Sequence, residues 1–325
     1  MSRLRVDPYI LLLLVTVGVA SLLPARGIVA LGVADATTIA IGLFFLYGAR
    51  LSTRAALARV RHWRLHGVIL AFTFVFFPLL GLLSRVLVPD VLTPDLYAGV
   101  MFLCCLPSTV QSSIAFTSIA KGNVAAAMCI ASFSNLIGIV VTPALVTAFL
   151  VTQTGGGVSL LAVRDIALQL LAPFVAGQLS RRWIGGFVAQ HKQMLGYVDR
   201  GSILLVVYAA FSEGVAAGIW SRLSIPSLLL LFLANAAILA AVLGSTMWVA
   251  RRLRFSTEDQ IAIVFCGSKK SLATGLPLAS VLLPTAIAGL MVVPLMMFHQ
   301  MQLMACAWLA RRYAARSNIA VAQLV

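Results

Sequence analysis

The sequence predicts an all-α membrane protein of ten transmembrane helices, arranged as an inverted 5+5 repeat. Three observations predict it. The chain of 325 residues is 61% hydrophobic and 10% charged, whereas soluble chains are about half apolar and about one quarter charged. Apolar runs of membrane-spanning length follow one another, and the basic connections between them alternate in density. The fourth and ninth runs are each interrupted by small and polar residues, at corresponding places in the two halves.

A spanning helix needs roughly 20 mostly apolar residues. The candidate spans are 8–24, 35–51, 66–87, 95–120, 122–150, 159–180, 200–220, 225–250, 258–283 and 285–310. The first apolar run follows Arg3 and Arg5 as a secretory signal would, but the many similar runs after it make it a first membrane helix. Arg50, Arg54, Arg59, Arg61 and Arg64 lie between spans two and three; Arg181, Arg182, Lys192 and Arg200 lie between six and seven. Arg251, Arg252 and Arg254 precede span nine. With Arg3, Arg5, Lys121, Arg311, Arg312 and Arg316, eighteen of the 24 basic residues fall on one side. Arg26, Arg85, Arg164 and Arg222 fall on the other. The positive-inside bias then makes both termini cytoplasmic in a multi-pass protein of the cell (inner) membrane.

This topology also accounts for the net charge of +15, which in a soluble chain would suggest nucleic acid. The segment RVRHWRLH, residues 59–66, reads as a cytoplasmic loop with Trp63 as an interfacial anchor. Cys104, Cys105, Cys129, Cys266 and Cys306 lie within apolar runs without metal or redox spacing, so they read as small core residues. No paired-carboxylate, metal or nucleophile–base constellation points to an enzyme. The run Gly155-Gly156-Gly157 divides the chain into a first five-helix repeat, 1–155, and a second, 156–325. An odd number of spans per half gives the halves opposite orientations, the arrangement of many secondary transporters.

Span four contains CCLPSTVQSSIAFTS, residues 104–118; span nine contains CGSKKSLATGLP, residues 266–277. Proline removes a backbone donor and glycine weakens a helix, so both segments unwind. Unwound backbone at membrane depth must be buried in protein or line a watery cavity. Its freed amides suit anions and its freed carbonyls suit cations. Thr109, Gln111, Ser112 and Ser113 in the first segment, and Ser268, Lys269, Lys270 and Ser271 in the second, are the candidate substrate- and ion-binding residues. A lysine at membrane depth costs roughly 2.5–3.5 kcal/mol on insertion scales and marks ion or substrate pathways. Ser132 and Asn135 of span five join the candidates, with interhelical bonding as the plainer role. Glu213 reads either as a proton carrier or as an interfacial carboxylate, and His299 either as a relay or as a packing histidine.

The segments LPSTVQSSIAFTSIAKGNVAAA (106–127), VFCGSKKSLATGLP (264–277) and PLMMFHQMQLMACAWLARR (294–312) resemble the bile acid:sodium symporter family, in its SBF-like branch. The resemblance covers the whole chain. It implies a core domain and a panel domain, with broken helices four and nine crossing near the midplane. It also implies sodium ions behind that crossing and organic anions carried between the domains. Ser112 and Ser113 match the family's small polar pair in the fourth helix, and Gly122-Asn123 the turn into the fifth. The fifth-helix hydroxyl ligands fall near Ala127 and Ala131, with Ser132 adjacent. The ninth-helix acid falls near Phe265 or Cys266, and the following glutamine near Lys269.

The chain therefore offers ammonium groups where the resemblance implies a carboxylate. A fixed cation repels a sodium ion at the same place. The expectation is a secondary transporter of a small organic anion in which Lys269 or Lys270 replaces sodium. That lysine would be held by Ser112, Ser113 and freed carbonyls, leaving its neighbour for the substrate and coupling to protons open. The alternatives are a sodium-coupled symporter using Gln111 and Asn135, and a non-transporting regulator of ion homeostasis. The partners implied are the lipid bilayer and the anion, without nucleic acid, cofactor or any metal beyond sodium.

Overall fold

The computed structural model describes residues 8–25, 36–50, 62–150, 160–216, 218, 223–283 and 285–322. Gly155 to Gly157 and the side chain of Glu213 lie outside the described residues. Among the described residues the chain is helical, with short turns and no strand. The helices are α1 (Pro8–Leu22), α2 (Ala36–Arg50), α3 (Trp63–Leu87), α4 (Pro94–Cys105), α5 (Gln111–Ile119), α6 (Val124–Leu150), α7 (Leu160–Gln190), α8 (Lys192–Ala216), α9 (Ile225–Arg252), α10 (Thr257–Gly267), α11 (Leu272–Leu282) and α12 (Thr285–Ala322). Among the described residues, four stretches are long and apolar enough to cross a membrane: α3, α6, α9 and Ala288–Ala315 of α12. Leu11, Leu12, Leu14 and Val15 of α1 are exposed, as are Leu229, Phe232 and Leu233 of α9. Exposed apolar faces of this extent suit lipid rather than water.

Local chemistry sets the helix ends around both interruptions. Thr93 caps α4, accepting from Leu96 N at 3.3 Å, with Pro94 next and Asp95 in the first turn. Ser256 caps α10 in the same way, accepting from Asp259 N at 3.2 Å. Pro107 disfavours a helical Leu106, which is extended at φ −75° and ψ 156°, and α4 stops there.

Two expected boundaries are corrected. The basic connection expected between 180 and 200 is helical except for a turn at His191, and α12 continues past 310 to Ala322. A helix satisfies its own backbone in water as in lipid, so leaving the apolar layer need not end it. Arg181, Arg182, Arg311 and Arg312 are good helix formers, and no proline follows either pair within its helix.

The chain groups into two compact units, each drawing on both halves of the sequence. One contains α1, α2, α7, α8 and Leu276–Val292. Within it Gly48 and Gly177 lie against the backbones of Phe174 and Phe45, so α2 and α7 pack without intervening side chains. The second contains α3 to α6, α9, α10, the start of α11 as far as Gly275, and the chain from Val293. One of its cores gathers Leu65, Ile69, Ala127, Ile130, Ile263 and Cys266; another gathers Ala120, Ile261, Phe265, Cys306 and Ala310. Both interruptions belong to this second unit.

Candidate functional site

Breaking a helix leaves carbonyls without partners, and buried ones must find others. At the end of α4 nearly every partner can be named. Leu103 O accepts from Leu106 N at 3.3 Å, and Cys105 O from Thr142 Oγ1 at 2.9 Å. Pro107 O accepts from Ser271 N at 2.9 Å, and Ser108 O from Asn135 Nδ2 at 2.8 Å. The remaining two, Cys104 O and Leu106 O, accept from Lys270 Nζ at 2.8 and 2.7 Å. Gly138 of α6 lies where a Cβ would come 2.8 Å from Pro107, so its missing side chain admits the interruption.

The third partner of Lys270 comes from α3. Residues Phe72–Phe76 form a π turn, and Phe77 N donates to Phe72 O rather than to Thr73 O. The next residue, Pro78, has no N–H to offer. Thr73 O is thereby released from its own helix, and Lys270 Nζ donates to it at 2.7 Å. An ammonium has three hydrogens, so Lys270 is saturated by three backbone carbonyls. The Phe77 ring centroid lies 4.1 Å from the same nitrogen. Charge-assisted bonds contribute roughly 1.5–3 kcal/mol each, which offsets the desolvation of a fully buried charge.

Lys269 is equally buried but differently placed. Its Nζ has no hydrogen-bond partner among the described residues. It lies 4.1 Å from the Phe116 ring centroid and 5.5 Å from that of Phe265, and Tyr313 packs edge-on against Phe265. The expectation that the second lysine is left open to an anionic substrate is corrected: both ammonium groups are enclosed. The reason is local. Residues 269 and 270 lie outside α10 and α11, and one side chain turns to the carbonyls of α3 and α4 while the other turns to the rings of α5 and α10.

The remaining candidates divide into three groups. Ser113 Oγ donates to Phe265 O at 3.0 Å, and Thr109 Oγ1 lies 2.8 and 3.0 Å from Ser112 Oγ and Ser113 Oγ. Those hydroxyls tie α5 to α10 and do not hold either ammonium, which corrects the expected partners of the lysine. Ser268 Oγ donates back to Val264 O at 2.6 Å. Asn135 bonds Ser108 O and accepts from Thr274 Oγ1 at 2.8 Å, and Thr274 Oγ1 in turn accepts from Ser271 Oγ at 2.9 Å. The interruptions, α6 and α11 thus share one polar chain. Gln111 is exposed, and Ser132 Oγ donates to Met128 O of its own helix. Glu213 is in α8, outside the second unit. His299 stands half-buried on α12 beside Gln302.

Thr73, Ser108 and Gln302 are parts of the site that the sequence reading did not select. Ser108 donates to Cys266 O at 2.6 Å, and Gln302 brackets the Lys270 backbone at 2.8 and 2.9 Å. Pro78, five residues after Thr73, and the polar pair Gln300 and Gln302 in an apolar run were the available signals. Ala127 and Ala131, where the resemblance implies hydroxyl ligands, are fully buried, and Ala127 packs in an apolar core. The carbonyls of Thr73, Cys104 and Leu106 therefore converge on one ammonium, that of Lys270.

Known proteins match along the whole chain. The model of the SBF-like CPA transporter family (DUF4137) matches residues 7–315. The uncharacterized protein PA2026 of Pseudomonas aeruginosa is 54% identical over 100% of this chain and 98% of its own length. A protein of Escherichia coli named "Putative symporter YfeH" is 51% identical over 98% of this chain and 96% of its own. Mouse "Sodium/bile acid cotransporter 7" is 28% identical over 94% of this chain and 91% of its own.

Proposed function

The chain belongs to the SBF-like CPA transporter family, a family of membrane transporters rather than enzymes, and on that premise we propose that it carries a small organic anion by alternating access, with the Lys270 ammonium in the place of a sodium ion. The observation that carries this reading is the trio of carbonyls around Lys270 Nζ, at 2.7 to 2.8 Å. Carbonyl oxygens freed from broken helices are what a transporter of this kind offers a coupling cation. A tethered ammonium satisfies them permanently and repels a second cation from the same place.

The order of helices supports ten spans in two inverted halves. α1, α2, α3, the α4–α5 pair and α6 stand against α7, α8, α9, the α10–α11 pair and α12. Two compact units that each draw on both halves support a core and a panel. The density of basic residues in alternate connections favours cytoplasmic termini in a protein of the inner membrane. An anionic substrate is favoured by the name of the mouse relative, which includes bile acid.

The names of the relatives also favour a second reading, sodium-coupled symport. The melting temperature of the purified protein, in sodium and in potassium at equal ionic strength, separates the two. Sodium replacement expects no difference. A bound sodium at a hundred times its Kd would stabilise the fold by about 2.7 kcal/mol, which would overturn the reading. Counterflow of labelled organic anions in proteoliposomes, bile acids included, should proceed equally in either salt.

A further inference from the structure

Gln302 is fully buried and gives both ends of its amide to the second interruption. Its Oε1 accepts from Lys270 N at 2.8 Å, and its Nε2 donates to Lys270 O at 2.9 Å. The same Nε2 lies 2.9 Å from Nδ1 of His299, one turn earlier on α12. An amide nitrogen only donates, and the Lys270 N–H fixes which end of this amide is oxygen. His299 Nδ1 must therefore accept, which requires a neutral ring with its proton on Nε2.

We propose that His299 and Gln302 form a pH-sensitive latch that positions Lys270. The inference rests on the reading of Lys270 as the resident cation and names a regulation of that site. A second proton on the ring would fall on Nδ1 and face the Gln302 NH2, placing two donors against each other. Rotating the amide does not help, because its nitrogen would then face the Lys270 N–H. Protonation must either drive the ring away or draw Gln302 off the Lys270 backbone. The residue that loses its anchor is the one whose ammonium fills the carbonyl nest.

Among the described residues, the elements that carry the interruptions bring the following titratable and aromatic groups. The second interruption brings Lys270, whose ammonium is turned to its three carbonyls. α10 brings Cys266 and α4 brings Cys104, both buried, and α12 itself adds Cys306. α3 brings Phe77 against Phe298, and α9 brings Asn235, which donates to Pro294 O at 3.1 Å.

The test uses the full-length protein with ¹⁵Nζ-labelled lysine. The only lysines are Lys121, Lys192, Lys269 and Lys270, so substituting the other three assigns the remaining signal to Lys270. Between about pH 7.5 and 5.5, across the histidine range, the Lys270 signal should move in wild type. In His299→Asn, where Oδ1 stands in for Nδ1 and accepts at any pH, it should stay. Melting temperature supplies the second readout. The bond holds only a neutral ring, so its stabilisation is present while the ring is neutral and is lost as the ring takes up a proton. Wild type should lose roughly 2–4 °C more than His299→Asn over that interval. Equal pH responses in the two proteins, or an unmoved Lys270 signal in wild type, would overturn the latch. The sodium comparison fails separately: a sodium-sensitive melting temperature with the pH response intact rejects sodium replacement and keeps the latch.

Discussion

The carbonyl nest around Lys270 and the aromatic cage around Lys269 are built from consecutive residues, both fully buried. One ammonium meets three oxygens at 2.7 to 2.8 Å, while the other meets ring faces and has no hydrogen-bond partner among the described residues. Burial and charge are the same, so the difference isolates what the partners contribute. In the nest, removing the lysine harms the groups left behind. In the cage, no group is left waiting.

The largest expected effect follows from the nest. Lys270→Met keeps much of the length of the side chain but leaves Thr73 O, Cys104 O and Leu106 O buried and unpaired. Each unsatisfied group costs roughly 1–3 kcal/mol, against a typical total stability of about 5–15 kcal/mol. The variant should therefore yield little monodisperse protein on size exclusion and melt far below wild type. A shorter polar chain sharpens the point: Lys270→Gln, if it folds, should gain stability from sodium over potassium. Wild-type stability in Lys270→Met would show that the nest holds nothing together.

Much of this was legible in the sequence, for identifiable reasons. Pro107, Gly267 and the lysine pair are local signals, because a helix breaker or a charge in an apolar run has few explanations. Which lysine enters the nest was not legible, since the two are identical neighbours outside the flanking helices and only their surroundings tell them apart. Thr73 was hidden for another reason: it acts through its backbone oxygen, 197 residues from Lys270. Only the displaced hydrogen bonding before Pro78 makes that oxygen available. The helical connection between α7 and α8 was missed because charge density marks the edge of the apolar layer and not the end of a helix.

An intermediate effect is expected at Asn135, where the polar chain joins α6 to both interruptions. Asn135→Leu removes the donor to Ser108 O and the acceptor for Thr274 Oγ1. Thr274 keeps Ser271 Oγ as a partner, so one carbonyl is the main loss. Asn135 is partly buried, and water can replace some of the bond. A loss of about 1–2 kcal/mol is expected, read as a drop in melting temperature well short of that for Lys270→Met. A loss as large as that of Lys270→Met would mean that the crossing depends on this chain as much as on the ammonium.

The smallest effect, and one of opposite sign, is expected in the cage. Lys269→Met removes a buried ammonium and replaces it with an apolar side chain that packs well against rings. The interaction lost with the Phe116 face is worth about 2 kcal/mol when desolvated. The desolvation relieved is several kcal/mol for an ion in an apolar surround. Melting temperature should therefore hold or rise, in contrast to every substitution in the nest. Counterflow then decides why the lysine is there. A variant that is stable and transports normally would leave the cage without a purpose, whereas a stable variant that no longer transports would mark Lys269 as a charge kept against the interest of the fold. Local rules are broken at functional sites and compensated elsewhere; here the compensation is the saturated nest one residue away. A large loss of stability in Lys269→Met would mean that the rings hold the ammonium as firmly as the carbonyls do, and the contrast between the two sites would fail.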